Sequence, residues 1–176
     1  MLVGLNQVWQ LGLNHEALAD IGVSLGADVP VFVHGRSAFA QGIGDQLTPL
    51  DLPQRWFLLL DPGFGMPTAE LFGAKDLTRD AAPATISDFL SGSVHGNAFE
   101  PVLRKRSERF AAMLDRLAAF GVPHVTGTGA GVFLAFDDPA RADTVRAKLP
   151  PPWRAWIAKG VNESALQRSQ SMHMID

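Results

Sequence analysis

The order of apolar patterns along the chain predicts an α+β fold, and three observations carry that reading. Apolar residues recur at helical spacing in two stretches, Leu18 to Leu25 and Val102 to Phe120. Short runs rich in aromatic and branched residues, plainest at Trp56 to Leu60, have the length of strands. From Trp56 onward the patterns read strand, helices, strand, strand, helix, strand, which is the split βαβ arrangement of ferredoxin-like domains.

Leu2, Leu5 and Trp9 repeat at helical spacing, so the chain is expected to open on a helix, with no Ser, Thr, Asp or Asn ahead of it as a cap. Asn14 is placed to cap a second helix carrying Leu18, Ile21 and Leu25 on one face, weakened slightly by Gly22. Val29 to Val33 is ambiguous: its branched residues favour a strand, whereas Asp28 and Pro30 favour a short helix. Ser37 to Gln41 and Gln46 to Leu50 read as strands around a turn, Gly42 to Asp45, that needs a positive φ at a glycine.

Trp56 to Leu60 has the continuous apolar character of a central strand, closed by Asp61-Pro62-Gly63. Thr68 to Phe72 starts a short helix. Gly73 to Ser93, rich in Ala, Ser, Thr, Asp and Pro with one helical turn near Ile86, is expected to be mobile or to act as a lid. Pro101 to Phe120 predicts one long helix with Val102, Leu103, Phe110, Met113, Leu114, Leu117 and Phe120 on its apolar face, ended by Gly121 and Pro123. Its basic run, Arg104-Lys105-Arg106 with Arg109, reads as a solvated face. His124 to Thr126 and Val132 to Phe136 are strands, Asp138 with Pro139 starts a helix to about Leu149, and Trp153 to Ala158 is the last strand. Residues from Gln167 read as a frayed tail.

At 176 residues, with 47% hydrophobic and 19% charged, the chain is long enough to bury a core of its own as one domain or two small ones. Its net charge of −3 gives no electrostatic footprint for nucleic acid or an anionic membrane. The absence of cysteine excludes disulfides, thiolate catalysis and Cys-ligated zinc. Nothing near residue 1 resembles a signal peptide and no apolar run is long enough to span a bilayer, so a cytoplasmic setting is expected.

Asp28 is the one acid in the apolar run from Ile21 to Val33, and a carboxylate there is expected either to cap a helix or to serve as a general base. Gly127-Thr128-Gly129-Ala130-Gly131 joins two strands rather than a strand to a helix, and no Lys-Ser or Lys-Thr follows it, so it is a tight hairpin or a loop whose amides meet an anion. The histidines at 15, 34, 95, 124 and 173 share no metal-ligand spacing, and no metal site is expected.

Five blocks stand in a recognisable order: GADVPVFV followed by AFAQGIGDQLTPL, then PGFGMPTAELF, NAFEPV, VTGTGAGVFLAF and AKGVNESAL. They resemble the GHMP kinase superfamily and, within it, the 4-diphosphocytidyl-2-C-methyl-D-erythritol kinases of the non-mevalonate isoprenoid pathway. The resemblance implies a remnant of the nucleotide-binding domain at residues 1–45, a ferredoxin-like substrate domain at 46–166 and a tail at 167–176. It implies a helix after Asp28, with the Asp28 carboxylate taking the proton from the substrate's 2-hydroxyl as that oxygen attacks the γ-phosphorus of ATP, Mg²⁺ being carried on the phosphates. Phe72 would stack on the substrate's cytosine and Thr68 would add a polar contact. Gly127, Thr128 and Gly129 would lie where nucleotide phosphate and substrate meet, and His34 falls where the family often has a basic residue.

The family's opening lysine, its Tyr-His pair that reads cytosine and its glycine-serine phosphate loop are not in this sequence. The chain therefore resembles the family enzyme cut a little over one third of the way along, and alone it is expected to be inactive. As partners it implies the cytidine diphosphate-linked methylerythritol, no nucleic acid and no membrane, in a monomer or weak dimer. The rival expectations are a GHMP kinase acting on another alcohol and a non-catalytic ferredoxin-like binding module.

Overall fold

The computed structural model describes residues 1–82, 84–91 and 96–168. It divides into two compact units, Met1–Gln54 with Val161–Asp176, and Arg55–Gly160.

The first unit holds helices α1 (Leu2–Val8), α2 (His15–Leu25) and α3 (Val29–His34) and the hairpin β1 (Ala38–Gln41) and β2 (Gln46–Pro49). Asn14 caps α2 as expected, its Oδ1 accepting the Ala17 amide at 2.8 Å. The buried stripe of α2 is Leu18, Ala19 and Gly22, and together with Val3 and Val33 it makes a small core, while Ile21 and Leu25 are exposed. The expected Leu18–Ile21–Leu25 face is thus corrected by close helix packing. A Cβ at Gly22 would meet Val29 Cγ1 at 2.8 Å, so the glycine is what lets α3 approach α2. Val29 to His34 is helical, ended by Gly35 at φ +60° in a left-handed cap. Gly42 and Gly44 both take positive φ in the turn of the β1–β2 hairpin.

The expected boundary after Asp45 would cut this hairpin, whose register pairs Gln41 with Gln46 and Ala38 with Pro49. Residues 161–168 likewise return to the first unit rather than closing the second. Asn162 grips Leu52 through both halves of its amide at 2.9 Å, its carbonyl accepts the Ser37 amide at 2.9 Å, and Ser164 N–H donates to Gly35 O at 2.8 Å. Of the expected tail, Gln167 and Arg168 continue this tie, with Gln167 N–H donating to Ser164 Oγ at 3.2 Å. The remaining tail lies outside the described residues.

The second unit runs β3 (Trp56–Asp61), α4 (Thr68–Phe72), α5 (Ile86–Ser91), α6 (Glu100–Arg106), α7 (Glu108–Ala118), β4 (His124–Val125), β5 (Val132–Phe136), α8 (Pro139–Arg146) and β6 (Arg154–Lys159). Its four-stranded sheet has the order β4-β5-β3-β6, every neighbour antiparallel. Each helical crossover therefore joins strands separated by one other, which is the split βαβ arrangement the element order predicts. Leu58, Leu60, Val132, Leu134 and Phe136 pack against Val102, Leu103, Phe110, Met113, Leu114, Leu117, Ala142 and Val145 to form the main core.

The single helix expected over 101–120 is two. Ser107 breaks it with extended backbone, φ −138° and ψ 99°, and its hydroxyl accepts the Phe110 amide at 3.2 Å to cap α7. Serine competes for the backbone in just this way, so an apolar stripe can run through a helix boundary. Of the basic run, Arg104 pairs with Glu100 and Asp115, Lys105 and Arg106 pair with Asp76, and Arg109 lies over the Phe64 ring, 4.3 Å from its centroid. Ala74 and Leu77 are buried in the core, so the stretch after Gly73 begins as packed chain. The lid reading of 73–93 extends over residues 83, 92 and 93, which lie outside the described residues. Among the described residues no helix is long and apolar enough to cross a membrane.

Candidate functional site

Strand β3 ends at Asp61, whose carboxylate accepts the Gly63 amide at 2.8 Å and pairs with Arg154. The Gly63 amide first, and the Arg154 guanidinium after it, hold the Asp61 carboxyl below its ordinary value near 3.8. This pins the turn that carries the chain to Thr68, the first residue of α4. Thr68 Oγ1 then lies 3.1 Å from Thr128 Oγ1, which brings two of the sequence-predicted residues into one hydrogen bond although they are far apart in the chain.

Thr128 belongs to the glycine loop, a hairpin closed by Thr126 N–H donating to Gly131 O and Gly129 N–H donating to Thr126 O, both at 3.0 Å. Gly127 and Gly129 take φ of +57° and +80°. A Cβ on Gly129 would come within 2.7 Å of Leu103 Cδ1, so the loop is seated on α6 and a side chain there would force Leu103 to shift. The amides of Gly127, Thr128 and Ala130 donate no hydrogen bond among the described residues. Amides so arranged are suited to anionic oxygens.

Phe72, at the end of α4, is 57% exposed and its ring meets that of Phe99 in a T-shaped pair, centroids 5.0 Å apart at 77°. Its backbone is secured by Arg79, which donates to the carbonyls of Phe72, Ala74 and Leu77 and so occupies the C-terminal end of the helix. An exposed aromatic face on a fixed backbone is a stacking surface at low ordering cost.

Asp28 lies in the first unit as the residue ahead of α3. It makes no side-chain hydrogen bond to the helix, its backbone is already helical at φ −85° and ψ −7°, and its carboxylate is exposed. The expected capping role is corrected, because a side chain caps from an extended backbone and Asp28 does not have one. His15 and His34 stack on one another at 6.4 Å and His124 stacks on Phe133 at 5.1 Å. His95 and His173 lie outside the described residues. Among the described residues no group of three or more His, Cys, Asp or Glu is placed to hold a metal ion.

Asn97, Phe99 and Arg79 are the site residues that sequence reasoning missed. Asn97 carried a signal, since an Asn that accepts the amide two residues on makes an Asx turn, and Phe99 N–H donates to its Oδ1 at 2.8 Å. Arg79 carried none, because its three carbonyl partners are set by how the chain after Gly73 folds back on α4.

A family model described as "GHMP kinases C terminal" matches residues 74–155. The chain is 52% identical over 166 residues to the 4-diphosphocytidyl-2-C-methyl-D-erythritol kinase of Xanthomonas axonopodis pv. citri, which covers 94% of this chain and 56% of that relative. It is 50% identical over the same length to the enzyme of that name from Xylella fastidiosa, again with 94% and 56% covered. A solved structure of a 4-(cytidine 5'-diphospho)-2C-methyl-D-erythritol kinase superposes with a TM-score of 0.68 at 26% identity, covering 89% of this chain and 60% of that one. The chain thus spans just over half the length of the curated relatives it matches.

Proposed function

We propose that the chain, whose residues 74–155 match the family model described as "GHMP kinases C terminal", is the substrate-side part of an ATP-dependent kinase that phosphorylates the 2-hydroxyl of 4-diphosphocytidyl-2-C-methyl-D-erythritol, in non-mevalonate isoprenoid biosynthesis. The observation that carries this reading is the meeting of Thr68 and Thr128 at 3.1 Å, which joins the stacking helix to the glycine loop. The identity with the Xanthomonas kinase, spread over 94% of the chain, supports it.

In this reading the exposed ring of Phe72 stacks on the cytosine, with Phe99 beneath it. Stacking tolerates any base, so it supplies affinity and leaves discrimination to hydrogen bonds. The hydroxyls of Thr68 and Thr128 and the amides of the glycine loop offer donors to the diphosphate oxygens. The Asp28 carboxylate, exposed and without a side-chain hydrogen bond to its helix, accepts the proton of the 2-hydroxyl as that oxygen bonds to the γ-phosphorus and the bond to the ADP oxygen breaks. Mg²⁺, carried on the nucleotide's phosphates, would neutralise charge there. The substrate is a small molecule, and a cytoplasmic setting goes with that chemistry.

The test completes this chain with the part of the Xanthomonas relative that lies outside the 166-residue match. The product should phosphorylate 4-diphosphocytidyl-2-C-methyl-D-erythritol from ATP, and Asp28→Asn should lower kcat by about 10²–10⁴, the usual worth of a general base. Turnover of a different alcohol in its place would overturn the substrate assignment. Full activity in Asp28→Asn would overturn the base.

A further inference from the structure

The geometry points to Asn97 as the positioning residue that turns one backbone amide of the glycine loop, that of Thr128, toward an anionic oxygen of the ligand. This inference rests on the function proposed above. Asn97 Nδ2 donates to two carbonyls, Val125 O at 3.1 Å and Gly127 O at 2.8 Å, while its Oδ1 accepts the Phe99 amide at 2.8 Å.

A trans peptide is flat, so fixing a carbonyl to one side sends the next residue's N–H to the other. The Val125–Thr126 peptide displays the consequence. With Val125 O on Asn97, the Thr126 N–H points away and donates to Gly131 O at 3.0 Å. The same constraint on the next held carbonyl, Gly127 O, directs the Thr128 N–H away from Asn97. Among the described residues that amide donates to nothing, and the Thr128 hydroxyl sits 3.1 Å from Thr68. An open amide beside a hydroxyl pair is a donor set for a phosphate oxygen. Gly127, at φ +57° with nothing within 4 Å of the place a Cβ would take, has no side chain to hold its peptide, and its carbonyl is held by Asn97 at 2.8 Å.

The third bond of Asn97 reaches the other half of the site, because Phe99, whose amide it accepts, carries the ring that supports Phe72. One side chain therefore ties the surface assigned to cytosine to the donor assigned to phosphate. Asn97→Asp separates the two. It keeps the acceptor for Phe99, loses both donors to the loop and sets a carboxylate against two carbonyl oxygens.

The test uses the full chain labelled with ¹⁵N, with cytidine and cytidine diphosphate as probes. In ligand-free protein, Asn97→Asp should speed amide exchange at Thr126 and Gly129 by about tenfold or more, while Phe99→Leu leaves them unchanged. Cytidine diphosphate should shift the Thr128 amide of the unsubstituted chain, and Asn97→Asp should weaken that ligand about tenfold with cytidine unaffected, as expected for one charge-assisted bond. Unchanged exchange in Asn97→Asp overturns the positioning role. Equal weakening of both probes overturns the link to phosphate. If the unsubstituted chain binds neither probe, the stacking and phosphate roles assigned to its own residues fall, and the exchange rates by themselves decide whether Asn97 orders the loop.

Discussion

Gly129→Ala tests how the glycine loop is seated, and its cost follows from two separate observations. The residue stands at φ +80°, where an L side chain is strained by about 1–2 kcal/mol. Its new methyl would also lie 2.7 Å from Leu103 Cδ1, and Leu103 is only 1% exposed and has little room to move. Overpacking of that kind costs about 1–3 kcal/mol, so the substitution should destabilise the chain by about 2–5 kcal/mol in all. Gly127→Ala is the control, since φ there is +57° but nothing lies within 4 Å of an added Cβ. It should cost only the backbone share, about 1–2 kcal/mol. Urea unfolding followed by tryptophan fluorescence reads both, and with a slope of about 1–3 kcal/mol per molar the two midpoints should differ by roughly 1 M. Gly129→Ala combined with Leu103→Ala should recover part of the clash, a coupling that a double-mutant cycle isolates. Equal midpoints for Gly127→Ala and Gly129→Ala would refute the contact with Leu103.

Ser107→Ala should cost about 1 kcal/mol in the same urea assay, because the Phe110 amide loses the hydroxyl that caps α7; no loss would mean the helix is continuous through 107. Asp28→Asn should move stability by no more than about 0.5 kcal/mol, since the side chain caps nothing, and a cost near 1 kcal/mol would restore the capping role. Phe72→Ala should weaken cytidine diphosphate by about 1–3 kcal/mol with little change in the urea midpoint, and undiminished binding would remove the stacking role. Asp61, held below 3.8 by the Gly63 amide and Arg154, and Asp76, held below 3.8 chiefly by Lys105, stabilise the fold above the unfolded value and lose that contribution as pH falls through their folded values. Acid unfolding should therefore set in below about pH 4, and Asp61→Asn should flatten that limb; an unchanged limb would show that other carboxylates govern it.

Much of the fold was legible because its periodicity is local. The strand Trp56–Asp61, the apolar stripe Phe110, Met113, Leu114 and Leu117, and the caps at Asn14 and Asp138 each depend on neighbours within a few residues. Ser107 was hidden by the same stripe, which continues across two helices that share one core. Gly22 read as a weakness of α2 and is the point of contact with Val29.

The candidate site divides along the same line. Residue order alone brought forward Thr68, Phe72 and the glycine loop, through the spacing of turn and helix signals and the blocks that resemble the GHMP kinases. It could not foresee that Asn97 holds Val125 and Gly127, that Arg79 gathers three carbonyls, or that Asn162 fastens Leu52 and returns the chain to the first unit. Each of these is a polar side chain whose partners lie many residues away or are fixed by a fold-back of the chain. A hydrogen bond is decided by where two atoms finish in space. Hydrophobic pattern determined most of the helices and strands this chain makes; only the tertiary structure, by bringing distant backbone groups within reach of particular amides and guanidinium groups, decided where its units divide and how its glycine loop is held.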